Sequence, residues 1–193
     1  MSDNDNSQAG ESALLHPLAG TAPDAVLAAE DAIRPLRHEV AIWSDRQGNE
    51  LGRRVDSISE VTFNAAEVAS MRDAIFTHNH PGGWNYPESD PRRTGNSLSD
   101  DDFVFARRTD VAELRVVTPS RRFSIRRPSP GWNLPPDVIL IYDAAFMEVV
   151  LAELKLAIQQ GVATLEDAEA TRYHEVARRL SIHVGIDYRW WEA

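Results

Sequence analysis

Apolar and polar positions along this chain predict short strands and helices in alternation, then two long helices. A helical pattern opens at Pro23-Asp24, runs to about Ile33 and is stopped by Pro35. Glu39–Trp43 reads as a strand, Asp45–Asn49 as a turn around Gln47-Gly48-Asn49, and Glu50–Asp56 as the returning strand. Ser59–Phe63 reads as a third, short extended piece, and Asn64 is placed to cap a helix over Ala65–Ala69. Ala74–Thr77 has the character of a buried strand and runs straight into His78-Asn79-His80. Residues 81–98 hold three prolines and three glycines, so they form a loop, after which Ser99 starts a helix through Phe103–Ala106. Leu114–Thr118 and Phe123–Arg127 pair as a hairpin around Pro119-Ser120.

The rest is helical. Pro136–Gln160 and Thr164–Leu180 flank Gly161, and Phe146, Val149, Val150, Leu154 and Ile158 recur at helical spacing. The expected architecture is α+β: a mixed β-sheet core flanked by helices, with a two-helix C-terminal extension. The expected divisions are a disordered tail over 1–22, a core domain over 23–130 and a helical extension over 131–193. The tail follows from its Ser, Asn, Asp, Gly and Ala content with few large apolar residues. No internal repeat or heptad run is visible.

Composition narrows the classes. A chain of 193 residues, 42% hydrophobic and 26% charged, can bury one proper core. The first twenty residues lack the basic start and apolar run of a secretory signal. Val138–Ile158, the most apolar stretch, is broken by Asp143, Glu148, Glu153 and Lys155 and does not read as a membrane span. A cytoplasmic protein is expected. There is no cysteine, which excludes disulfides, thiolate zinc sites and cysteine nucleophiles, and leaves only nitrogen and oxygen ligands for any metal. A net charge of −10 argues against nucleic acid as the default partner. Arginine pairs at 53–54, 92–93, 107–108, 121–122 and 126–127 set a locally basic middle against that total.

The candidate chemistry lies at 78–102. Residues two apart on a strand share a face, so His78 and His80 project together while Asn79 faces away. Two imidazoles at a strand exit form a natural chelate; the plainer reading is a pair of polar residues where a strand ends. Ser99-Asp100-Asp101-Asp102 reads first as a capping box, with Ser99 at the N-cap and Asp102 three residues on. A first-turn aspartate on a helix aimed at the strand end could also serve as a third ligand. Ser97 and Asp100 offer an alternative register; Phe103, directly after Asp102, favours Ser99 and Asp102.

Thr77-His78-Asn79-His80-Pro81-Gly82 followed by Ser99-x-x-Asp102-Phe103 resembles the JAMM (MPN+) metalloprotease signature, His-x-His-Pro then Ser-x-x-Asp. His-Asn-His-Pro is similar to the RadC-like and prokaryotic branch. The stretch Glu39–Pro128 also resembles JAB-like domains of phage and mobile-element proteins. The resemblance implies a JAB/MPN-like, cytidine-deaminase-like fold. It implies Zn2+ held by His78, His80 and Asp102, and Ser99 bonded to the water or the developing oxyanion. It also implies an upstream glutamate as general base: Glu39 stands in the right place, with Glu60 and Glu67 as fallbacks. Activity would be hydrolysis of a peptide or isopeptide bond, with ubiquitin-like chains among the substrate classes. The intervening loop, 82–98, is longer than the family's usual spacing. Trp84 and Tyr86 make it either a substrate-binding flap or an ordinary disordered loop.

Other features carry less. His174-Glu175 is not a zincin motif because Arg178 stands four after His174. His16, His38 and His183 stand alone, and Tyr188–Trp191 reads as a packing element. Two other functions remain open: a catalytically silent interaction or phage-associated assembly module, and a metal-dependent hydrolase of another bond.

Overall fold

The computed structural model describes residues 22–55 and 62–193. All of the expected tail but Ala22, most of the short extended piece at 59–63, and Glu60 lie outside them. Among the described residues, six strands form one sheet: β1 Val40–Ser44, β2 Glu50–Val55, β3 Ile75–Asn79, β4 Glu113–Val117, β5 Arg121–Arg126 and β6 Asp187–Glu192. Five α-helices accompany it: α1 Asp24–Ile33, α2 Ala65–Ser70, α3 Asp100–Thr109, α4 Pro136–Gln159 and α5 Leu165–Val184. The α+β architecture is therefore as expected, and the sheet is mixed. Its order is β2-β1-β3-β4-β5-β6. β3 and β4 pair in parallel and every other neighbouring pair is antiparallel.

The sheet's two faces differ in chemistry. Ala41, Trp43, Phe76, Leu114, Val116 and Phe123 point to one side and form the main core with Phe103 of α3 and Leu180 of α5. On the other side α1 lies over β3, β4 and β5 and brings a carboxylate, not only apolar groups. Glu30, with no exposure, receives Arg115 Nε at 2.5 Å, Arg122 Nε at 2.8 Å and Thr77 Oγ1 at 3.3 Å. Arg115 is itself almost wholly buried, pairs also with Glu113, and has its guanidinium 4.8 Å from the Trp191 ring. Removing two guanidinium groups and one carboxylate from water is tolerated because each is paired and hydrogen-bonded.

Differences from the sequence reading are local, with one exception. β3 extends through His78 to Asn79, and α5 runs four residues past Leu180, ending at Gly185 in the left-handed region (φ +73°). The exception is the C-terminus. Tyr188–Trp191 is not merely packing: it lies in β6, which pairs antiparallel with β5, so the segment after 131 is not only helical. β6 is fastened by His174, whose Nδ1 lies 2.8 Å from the Tyr188 hydroxyl, and by Tyr188 stacking on Phe123. Among the described residues, no helix is long and apolar enough to cross a membrane.

Two consequences can be measured. Glu30→Ala leaves Arg115 and Arg122 buried without their shared partner and should cost about 3–5 kcal/mol of unfolding free energy in denaturant titration. Burial pushes His174 down to about 4, so it enters the fold neutral. The unfolded ring titrates near its ordinary 6.5. The contribution of His174 is therefore complete above pH 6.5 and declines as pH falls toward 4. The difference in melting temperature between wild type and His174→Gln should narrow over that interval.

Candidate metal centre

The centre forms where β3 ends and α3 begins. Ala41 pairs with His78 across β1 and β3, so two positions along, Glu39 stands opposite His80 on the same face. The face beyond His78 holds Phe76, whose ring centroid is 5.6 Å from the imidazole. His78 is buried and His80 half-buried. Their Nε2 atoms are 3.0 Å apart. α3 delivers the third group from its first turn. Asp102 Oδ1 lies 3.0 Å from His78 Nε2, and Oδ2 lies 3.8 Å from His80 Nε2.

Each ligand is oriented by an ordinary structural device. Asp102 Oδ2 accepts from the Ser99 backbone N–H at 2.8 Å and from the Ser99 hydroxyl at 2.9 Å, and Ser99 Oγ accepts from the Asp102 N–H at 3.3 Å. This is the anticipated capping box, and it leaves Oδ1 aimed at the histidines. The only hydrogen of the Ser99 hydroxyl is committed to Asp102, so in this geometry Ser99 acts on the carboxylate. His80 Nδ1 lies 3.0 Å from the Asn96 carbonyl, which can only accept. The proton is therefore on Nδ1, and Nε2 presents its lone pair inward. His78 Nδ1 makes no full hydrogen bond, although the Arg115 backbone lies close enough to favour a protonated ring.

The charges follow from these contacts. Burial opposes charge on His78, but the Asp102 carboxylate outweighs it and raises the ring's proton affinity above the ordinary imidazole range. Burial lowers that of His80, and the neighbouring His78 charge lowers it further. Burial also disfavours the Asp102 anion, yet both imidazoles and the Ser99 N–H hold its carboxyl far below the usual carboxylate range. Within the group Asp102 favours its anion and His78 is the imidazole on which an added proton is favoured, so a dication would compete with that proton.

His78, His80 and Asp102 could hold a metal ion: their ligand atoms all lie within 4.8 Å of one another. Tetrahedral donors at 2.0–2.1 Å from an ion sit roughly 3.3 Å apart; His78 Nε2 is near that spacing from both His80 Nε2 and Asp102 Oδ1, each at 3.0 Å, whereas the 3.8 Å contact of His80 runs to the other carboxylate oxygen. Three protein ligands are the number catalytic sites offer, whereas structural sites close with four.

The groups beside the ligands face a cavity of about 430 Å³, lined by Glu39, Phe63, His78, Ser99, Asp102 and Phe105 among others, with exposed Arg108 on its wall. Of Glu39 and Glu67, Glu39 is the one placed there. Glu67 instead receives the Asn64 N–H in the cap of α2 and pairs with Arg54. The alternative register is not assembled: the charge of Asp100 reaches Asp143 of α4, whose carboxyl is raised to about 6 by burial and by Asp100.

Two contributors were not read from the sequence. Asn79 faces away from the ligands, as expected, but its side chain clamps the chain on both sides of Glu39. Oδ1 accepts from Val40 N–H at 2.7 Å, and Nδ2 donates to the carbonyls of His38 and Leu36. The second is the loop 82–98, which is neither a free flap nor shapeless. The guanidinium groups of Arg37 and Arg93 both lie over the Trp84 ring, which donates to the Arg34 carbonyl, while Arg92 sits on the Tyr86 ring and pairs with Glu169 of α5. Gly83 permits this closure, since a Cβ there would lie 2.5 Å from the Arg93 carbonyl oxygen. The loop thereby fixes the Asn96 carbonyl that orients His80.

Comparison with known protein families, curated proteins and solved structures finds no match to this chain.

The centre predicts one equivalent of divalent metal per chain, with a rise in melting temperature that His78→Ala abolishes. A metal at a hundred times its Kd would add about 2.7 kcal/mol. Affinity should weaken as pH falls, because His78 retains its proton to higher pH than an ordinary imidazole and competes with the ion. Calorimetric titration at several pH values checks both; a wild type that binds no metal removes the centre.

Proposed function

We propose that this chain is a zinc-dependent peptidase or isopeptidase of the JAMM type. The carrying observation is that Glu39 lines one cavity with His78 and Asp102, two of the three residues that could hold a metal ion. Zinc is the metal of this reading because two imidazoles and a carboxylate, without thiolate, suit a catalytic zinc site. When bound, the ion would polarise water and a substrate carbonyl, bringing the water's pKa to about 7.

The chain's own residues supply the remainder. Glu39 takes a proton from the attacking water and returns it to the leaving amine. Asn79 holds the backbone on either side of Glu39, so the carboxylate acts from a fixed place. Ser99 orients Asp102 and can meet a developing oxyanion only by releasing Oδ2. Phe63, Phe76 and Phe105, in mutual ring contact, form a dry wall on which an apolar substrate group can rest. A phosphodiester is the second reading, favoured by Arg108 on the cavity wall. A cytoplasmic location belongs to the same proposal.

The test is Glu39→Gln. Zinc content should be unchanged, while cleavage of peptide-amide and isopeptide-linked substrates should fall about 10²–10⁴-fold. Full activity in this variant takes the base role from Glu39. Activity of the wild type on phosphodiesters alone would transfer the reading to that bond.

A further inference from the structure

The outward face of α4 carries large exposed apolar residues on either side of a charged line that includes Asp137, Glu148 and Lys155. Of its 24 residues only Ile139 and Val150 are buried. Leu140, Ile141, Val149, Leu151 and Leu156 are each between 45% and 64% exposed. At 100° per residue these lie in the half of the helix turned away from α3 and α5, separated by the small residues Ala144, Ala145 and Ala152. A helix serving only its own fold would leave fewer large apolar residues exposed there. Five of them flanking a charged line mark an association surface.

Two charges on this face say what covers it. Glu148 and Lys155 are one heptad apart on the same line, and both are exposed. Glu153 on the flank already pairs with Arg179 of α5. Opposite charges seven residues apart cannot meet within one helix, where partners are three or four apart. They do meet across a twofold axis between antiparallel copies.

We propose that α4 pairs with α4 of a second copy of this chain, antiparallel, about an axis between Leu151 and Ala152. This arrangement sets Glu148 of each copy against Lys155 of the other. It also lays Leu151 on Ala152 and carries Ile141 toward Val162, which is 77% exposed just beyond the helix end. A parallel pairing would set Glu148 on Glu148 and Lys155 on Lys155, so the charges select direction as well as partner. The alanines let the axes approach closely. An adjoining groove of about 320 Å³, lined by Leu154, Ile158, Leu165 and Ala168 among others, extends the surface toward α5.

Sedimentation equilibrium of the full chain should show a dimer. Lys155→Glu and Glu148→Lys each create two like-charge contacts and should weaken association about tenfold or more. The double exchange should restore it, which no folding defect would mimic. Lys155 is the chain's only lysine, so carbodiimide coupling should give a covalent dimer joined between Lys155 and Glu148. A chain that stays monomeric up to its solubility limit, as it would if another protein covered α4, overturns the proposal. A dimer indifferent to both single exchanges overturns it equally.

Discussion

The parallel pairing of β3 with β4 is the constraint from which the candidate centre follows. Antiparallel neighbours can be joined by a short turn, but parallel neighbours need a crossover. In this sheet β3 and β4 are the one neighbouring pair that is parallel, and the chain crosses from one to the other through the loop 82–98 and α3. A crossover helix begins near the end of the strand it follows. The positive end of α3 therefore stands beside the exit of β3, the position where open sheets bind ligands. The strand supplies two imidazoles two residues apart and the helix supplies a carboxylate from its first turn. Topology alone brings together groups that are more than twenty residues apart in the chain.

Support and chemistry use the same atoms. The Ser99–Asp102 capping box stabilises α3 and also turns Oδ1 toward His78. Asn79 completes the pairing of β1 with β3 beyond the last ladder position and, by the same bonds, fixes Glu39. The loop that carries the chain from β3 to α3 ends in the carbonyl that selects the tautomer of His80. The helix-cap and metal readings of Asp102 are therefore compatible, and a stability measurement on an Asp102 variant cannot tell them apart. Metal content can, because the cap alone has no need of the imidazoles.

What was legible in the sequence was local. Period-two geometry put His78 and His80 on one face, and Phe103 after Asp102 chose the register that the helix adopts. The Asn64 and Ser99 caps announce themselves within four residues. What was illegible was distant. β6 has the aromatic content of a strand, but its partner β5 lies before two long helices, and no turn signals the pairing. Trp84 and Tyr86 suggested substrate contacts because aromatic residues in a long loop look available. Their actual neighbours include Arg37 and, through Arg92, Glu169, which the sequence does not place nearby. The role of Asn96 rests on a backbone carbonyl, which no residue type reveals.

The two faces of the sheet are linked by register. Thr77 pairs with Arg115 across β3 and β4, and both side chains bond to Glu30 of α1. A slip of one residue along β3 would carry Thr77 away from that carboxylate and place Phe76 or His78 against it. The same slip would turn His78 and His80 to the α1 side, because strand side chains alternate with period two. A charge buried on one face thus makes costly the error that would destroy the centre on the other. Apolar packing alone would not discriminate so sharply, since Ile75 and Phe76 are both buried and either face would accept them. Buried ion pairs are weak sources of net stability but strong penalties against misplacement. Glu30 matters to the centre for that reason, though it touches none of its ligands.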